Sequence, residues 1–443
     1  MKADPVTGLS AFLGGEFGGS VMTSEFQFLS AGARRRNVVF AAAVDGGETR
    51  RLVATIVPPA VEPLRSTGNA AGSRAGIGRN CSPNPAAAGR YRYAFPAEYG
   101  GRDGTNLGMA VIREHLARRG LGPHCDLQNE HAIVANNVGL LPMLEYGSEA
   151  QRAQRVDGLA EGTKFFAFGI TEPEHGSDAT PMETTAVRDG DEWVINGCKT
   201  WNTGVHIADA DLIFARTSGD TGAGAGIAAF LVPTAAPGFT VEEYLWTFNM
   251  PTDHARVSLT DVRVPSSAVF GEEGRGLAVI QRFFNENRIR QAASSLGAAQ
   301  HCVDRAVAYA KERKPFGKPP AANQAIQFPL VELHTQCEML RALIHKTAWS
   351  MDAYGTFAVS EQVSMCNYRA NRPCCETADR AMQVHGGLGY FRYKPFEHIY
   401  RHHRRYRITE GAEEIQMRRV AGYLFGFMDR AVVKGVGSTD APR

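Results

Sequence analysis

The hydrophobic period of this chain switches twice, and no other feature constrains its fold as much. Apolar residues recur at helical spacing from Leu107 to Leu159, and from Phe165 to about Gly276 they fall into short runs broken by turn residues. Helical spacing returns at Leu277. Met109, Ile112 and Leu116 mark one helix face over Leu107 to Arg119. Ala132 to Tyr146 is apolar on nearly all sides, as in a helix packed in a bundle core, and Ser148 to Leu159 reads as amphipathic. FFAFGI, TTAVRD, EWVING, DLIFART, IAAFLVP and HARVSLTDVRVP read as separate strands, with turns at Asp189-Gly190, Asn196-Gly197 and Pro237-Gly238. Beyond them, one long helix carries Ile280, Phe283, Leu296, Val303 and Val307, and a second carries Leu330, Leu333, Leu340, Ile344 and Met351. A third runs from Phe357 to His385, where Pro373 should kink or divide it, and a fourth starts near Glu410.

The expected fold is therefore α+β and multidomain. It has an N-terminal helical domain over 1–164, a middle antiparallel β-barrel or sandwich over 165–276, a C-terminal four-helix bundle over 277–430, and a tail over 431–443. Residues 1–90 are atypical, being rich in Gly, Ala, Ser and Arg without a sustained helical period. A chain of 443 residues, 44% of them hydrophobic, can bury the cores that this layout needs. Its 48 Lys and Arg against 46 Asp and Glu leave +2, so no global field draws it to nucleic acid or an acidic membrane. No apolar run approaches the roughly twenty residues that cross a bilayer, and the N-terminus lacks an export signal, so a cytoplasmic location is expected. The eight cysteines show no C-x-x-C spacing, which points to reduced, buried thiols and no metal.

Two stretches offer chemistry. In Arg401 to Gln416, RHHRRYRITEGAEEIQ, the acid Glu410 precedes Gly411, which lets the backbone approach a ligand; Glu410 could take a proton while its own amide holds the activated group. The plainer alternative is that Glu410, Glu413 and Glu414 complement the positive end of a helix. In Gly169 to Asp178, GITEPEHGSD, Thr171 and Ser177 offer hydroxyls and Gly176 admits a flat or phosphorylated ligand, unless the stretch is only a polar turn capped by Asp178.

The second stretch resembles the T-E-P-x-x-G-S-D signature of the acyl-CoA dehydrogenase family. NGCKTWNTG, ERKPFGK, QVHGGLGY and the TEG before Ile415-Gln416 resemble its other motifs, in the family order, over roughly Tyr93 to Phe427. The resemblance implies FAD as cofactor, an acyl-CoA substrate, an electron-transfer flavoprotein as electron acceptor, and a homodimer or homotetramer whose neighbouring subunit helps to hold FAD. It places Phe168, Ile170 and Thr171 on the isoalloxazine ring, Gly176 beside them, Ser177 near the CoA entrance, Trp201 flanking the flavin and Thr203 near its reactive nitrogen. Arg313, Phe316, Gln324, Gln383, Gly386, Gly387 and Glu414 fall among the cofactor contacts, and Ser177, Arg288 and Gly411 among the substrate contacts. A diphosphate suits this set, because Gly386 and Gly387 free the backbone and Arg313 brings charge.

Glu410 is implied as the base for α,β-dehydrogenation. Some members carry the base on the first bundle helix, but the corresponding position here is Asn287, and Glu286 beside it is turned away by about 100°. A thioester α proton is too weakly acidic for a carboxylate in water, so the site must stabilise the enolate and desolvate the base. The sequence departs from the family pattern at Thr409, Ala412, His402 and Asn202. Rival readings keep the fold but let O₂ reoxidise the flavin, as an acyl-CoA oxidase or flavin monooxygenase, or make Arg401, His402, His403, Arg404, Arg405 and Arg407 a DNA-binding patch. With near-zero net charge and little aromatic interleaving, nucleic acid is the weaker partner.

Overall fold

The computed structural model describes residues 21–28, 36–44, 50–56, 93–120, 140–161, 163–248 and 254–428. The described residues between 21 and 56, where the sequence shows no sustained helical period, are strands. They contribute β1 (Val21–Phe28), β2 (Arg36–Val44) and β3 (Arg50–Ile56), an antiparallel sheet in the order β1-β2-β3.

Among the described residues the first α-helix is α1 (Asn106–Arg118), whose N-cap Thr105 accepts from the Gly108 N–H at 3.0 Å. Next come α2 (Leu140–Tyr146) and α3 (Glu149–Glu161); the expected helix residues before Leu140, 132–139, lie outside the described residues. The middle of the chain forms β4 (Phe166–Gly169), β5 (Thr185–Asp189), β6 (Glu192–Thr203), β7 (Ala210–Arg216), β8 (Ile227–Pro233), β9 (Phe239–Leu245) and β10 (His254–Pro265). These make one sheet, with path β4-β7-β5-β6-β10-β9 and β8 on the other side of β7.

Three expectations for this region change. The sheet is mixed and not antiparallel throughout, because β4 runs parallel to β7 and β5 meets β7 in parallel at Thr185 and Arg216. Asn196-Gly197 is no turn. It lies inside β6, where the register against β10 slips between Leu259 and Val262, and Gly197 sits at φ 153 with Thr184 pressed against the place a Cβ would take. The strand β9 was not expected, since its mostly exposed edge carries little apolar alternation.

The C-terminal part consists of α4 (Gly276–Glu312), α5 (Gln324–Tyr354), α6 (Ser360–His385), α7 (Phe396–Arg404) and α8 (Glu413–Leu424). Pro373 does not divide α6, which is continuous. The last helix begins at Glu413 rather than at Glu410, and the short α7 precedes it. One core cluster joins α4 (Ile289, Leu296, Cys302), α5 (Leu330, Ile344), α6 (Val363, Ala370) and α7 (Phe396, Ile399) with Ala110 and Ala117 of α1. A second fills the inside of the sheet around Trp193, Ile195, Phe230 and Val257. A third, with Met143, Phe166, Phe214, Phe270 and Ile280, packs the sheet on α2, α3 and α4. Cys302, Cys337, Cys366, Cys374 and Cys375 are buried free thiols, and Cys198 is half-buried. Among the described residues no helix is long and apolar enough to cross a membrane, and no His, Cys, Asp and Glu cluster could hold a metal ion.

Candidate functional site

Glu410 sits in the loop between α7 and α8, at φ 52, and Gly411 follows at φ 93. Positive φ is unfavourable for a residue with a Cβ, so surrounding bonds must hold it. Its carbonyl oxygen accepts from Arg288 Nε at 3.1 Å, Arg288 Nη2 at 2.6 Å and Gln416 Nε2 at 3.0 Å. Its carboxylate accepts from Asn287 Nδ2 at 2.8 Å and from Gln291 Nε2. Asn287 and Gln291 stand one turn apart on α4, which puts both amides on one face. Gln291 Oε1 in turn accepts from Asn367 Nδ2 at 3.2 Å, so the Gln291 N–H is directed at Glu410. Both amides donate, and what they hold is an acceptor, the form of a carboxylate able to take a proton.

Arg288, implied as a substrate contact, is buried beneath this loop and also donates to Asn285 Oδ1 at 3.2 Å. Burial pushes its guanidinium down to about 9, with Arg419 adding repulsion and Glu410 opposing the shift. Glu286 turns away from the site, accepting from Arg282 at 2.8 Å and Arg290 at 3.2 Å.

The two strand motifs are locked to each other. Lys199 of β6 pairs with Glu172 at 2.8 Å, the two side chains 0% and 3% exposed. Glu172 also accepts from the Glu183 N–H at 2.6 Å and the Thr184 N–H at 2.9 Å. Burial works to raise the Glu172 carboxyl, but Lys199 and these donors hold it below the usual range. Lys199 Nζ donates to the Ile170 carbonyl at 3.3 Å and the Thr200 N–H to the Thr171 carbonyl at 2.9 Å, fixing the backbone that follows β4. Phe168 stacks on Phe283 of α4 at 4.9 Å, one turn before Asn287, so β4 meets α4 beside the Glu410 site. Trp201 stands at φ 65 and 51% exposed, while Thr203 Oγ1 shares a hydrogen bond with His254 Nδ1 at 2.9 Å. Gly176 and Ser177 are exposed, with open space around Gly176.

The remaining cofactor candidates lie elsewhere. Arg313 caps the far end of α4, Phe316 follows it, Gln324 opens α5, and Gln383, Gly386 and Gly387 close α6. All six are exposed, Phe316 fully. Gly386 takes φ 59, nothing crowds Gly387, and Arg313 Nη1 lies 3.9 Å from where a Gly386 Cβ would stand. Arg313 Nη1 donates to the Tyr309 hydroxyl at 2.8 Å, and His385 stacks on Tyr309 at 4.3 Å and meets the tilted Phe396 ring at 4.6 Å, which steadies this end. An open glycine backbone beside a guanidinium and an exposed aromatic ring fits a dinucleotide. With a helical rise of about 1.5 Å per residue, Arg313 stands about 39 Å along α4 from Asn287. Glu414 is exposed in the first turn of α8.

The basic run does not form an outward patch. His402 and His403 are buried, Arg401 pairs with Glu397 at 2.7 Å, Arg407 pairs with Glu413 at 2.7 Å, and Arg405 lies over the Tyr406 ring at 4.9 Å. Sequence reasoning missed Glu172, Lys199 and Gln291, whose partners lie far along the chain. The sole hint was that Glu172 and Lys199 occur inside motifs.

Family models match in chain order: the acyl-CoA dehydrogenase N-terminal domain over residues 48–163, the middle domain over 167–262 and the C-terminal domain over 274–425. The chain is 34% identical over 323 residues to the probable acyl-CoA dehydrogenase YngJ of Bacillus subtilis, covering 73% of this chain and 83% of that one. It is 32% identical over 339 residues to the caffeyl-CoA reductase-Etf complex subunit CarC of Acetobacterium woodii, covering 76% and 87%. Butyryl-CoA dehydrogenase from Megasphaera elsdenii superposes with a TM-score of 0.69 at 31% identity, covering 76% of this chain and 87% of that one.

Proposed function

We propose that this chain, which belongs to the acyl-CoA dehydrogenase family of FAD-binding oxidoreductases acting on CH–CH bonds, removes the α proton of an acyl-CoA thioester with Glu410. The observation that carries this reading is the Glu410 carboxylate, held by Asn287 and Gln291 on an inverted backbone that Arg288 and Gln416 clamp. FAD, when bound, supplies the acceptor for the β hydride. The chain's own residues do the rest. Asn287 and Gln291 aim the carboxylate, and the Glu410 N–H serves the thioester carbonyl as charge develops on its oxygen. Gly411 leaves room for the thioester. Phe168, Ile170, Thr171, Trp201 and Thr203 form the ring seat, with Gly176 and Ser177 at its mouth. Arg313, Phe316, Gln324, Gln383, Gly386 and Gly387 serve the cofactor of a second copy, which makes the working unit a homodimer or a pair of homodimers. An electron-transfer flavoprotein is the partner that accepts the electrons; the CarC relative is named as a subunit of a reductase-Etf complex.

The test is anaerobic addition of straight, branched, aromatic and dicarboxylic acyl-CoAs to the yellow holoprotein, with bleaching of the flavin as readout. Glu410→Gln should keep FAD and lose at least about 10²-fold in bleaching rate. Bleaching at the unaltered rate would remove Glu410 from the role of base. Peroxide release in air would favour the oxidase reading.

A further inference from the structure

The strand that presents Trp201 and Thr203 turns the residue between them inward, where Asn202 meets Asp211 of β7. Both side chains are fully buried. Asn202 Nδ2 donates to Asp211 Oδ2, while Asn202 Oδ1 and Asp211 Oδ1 have no hydrogen-bond partner among the described residues. A buried acceptor without a donor is costly, and here one proton would serve two of them. We infer that Asp211 is held as a neutral carboxylic acid whose Oδ1–H donates to Asn202 Oδ1, closing an acid–amide ring behind the strand assigned to the flavin.

Charge counting supports the ring. The charged groups near the pair are Lys199 on β6 and, paired with it at 2.8 Å, Glu172 of the turn after β4. Glu172 already balances Lys199, so an ionised Asp211 would add an uncompensated buried charge. Its register neighbours, Ala167 on β4 and Val232 on β8, offer no side-chain donor. Burial raises the Asp211 carboxyl to about 7, with Asn202 and Lys199 opposing. The second bond of the ring favours the acid further.

The pair is a positioning device. A Cβ on Gly169 would meet Asn202 Nδ2 at 2.8 Å and Lys199 Cγ at 3.3 Å, so the ring packs against the backbone of β4 next to Phe168 and Ile170. It joins β6 to β7 between the two side chains assigned to the flavin, and it keeps a fixed negative charge from behind the redox ring. This consequence rests on the proposed function; the proton does not.

Infrared spectra of the holoprotein labelled with carboxyl-¹³C aspartate decide the matter. Among the described residues Asp211 is the only buried aspartate. A protonated-carboxyl band at about pH 6 that shifts with the label is expected, since exposed aspartates are ionised there. Its absence overturns the inference, with no variant needed. Asp211→Asn should abolish the band and leave the flavin midpoint potential at that pH unmoved, because an amide replaces a neutral acid. A raised potential would show that a negative charge had been removed, and would likewise overturn it. Neither readout depends on acyl-CoA turnover. A labelled band without bleaching would break the functional reading alone, and bleaching without the band would break this one alone.

Discussion

The two ends of α4 are built on opposite principles. Around Asn287, Arg288 and Gln291 the polar side chains are buried and engaged with Glu410 and Asn367. Around Arg313 the glycines, glutamines and Phe316 face outward. The first end is packed and hydrogen-bonded within one chain, and the second is open surface. On the proposed function, substrate chemistry is prebuilt by each copy, while cofactor retention is shared between copies.

The largest expected effect falls on the completed end. Arg288→Ala removes two of the three donors to the Glu410 carbonyl, leaving Gln416, and opens a void, which should cost about 3 kcal/mol in denaturant unfolding. Unchanged stability would mean that Glu410 holds its backbone without Arg288. Next is Glu413, which accepts from Arg407 at 2.9 and 2.7 Å and from Arg372 at 3.0 and 3.1 Å. Glu413→Gln should cost about 2 kcal/mol near neutral pH. Hydrogen bonds from Arg407, then Arg372, outweigh burial and hold the Glu413 carboxyl down to about 2. Because the folded value is depressed, the stabilisation is present above the unfolded value of about 4.3 and is lost as pH falls toward 2. The Gln variant should lose that part of the acid dependence, which thermal melts across this window would read.

Smaller stability effects belong to the open end. Gly386→Ala forces a Cβ onto φ 59 and should cost about 1 kcal/mol while weakening FAD retention during gel filtration. Phe316→Ala removes a fully exposed ring, so unfolding should move by less than about 0.5 kcal/mol, yet bound FAD should fall. Stability and cofactor content falling together in the Phe316 variant would erase the contrast between the two ends.

The sequence is readable where function and periodicity coincide. Long helices announce themselves by spacing, and GITEPEHGSD, NGCKTWNTG and the TEG before Ile415 contain Glu172, Lys199 and Glu410, which make buried or half-buried polar contacts. It is less readable where a local signal serves a distant purpose. Asn196-Gly197 carries a strong hairpin signature, yet the bulge against Leu259 and Val262 needs the same glycine. β9 is an edge strand whose largely exposed residues show no buried face. The short α7 keeps Phe396 and Ile399 among many charges, so its apolar side is thin. For Gln291 the partner Glu410 lies 119 positions away, and no local pattern can reveal such a pairing.

The 37-residue helix α4 acts as a ruler between the two ends. Substitutions on its surface leave that measure intact. One residue inserted between Gln291 and Arg313 would turn everything beyond it by about 100° and advance it by about 1.5 Å, so Arg313 and the loop behind it would face a different neighbour. On the proposed function, drift in side chains is therefore tolerable across this span where drift in length is not.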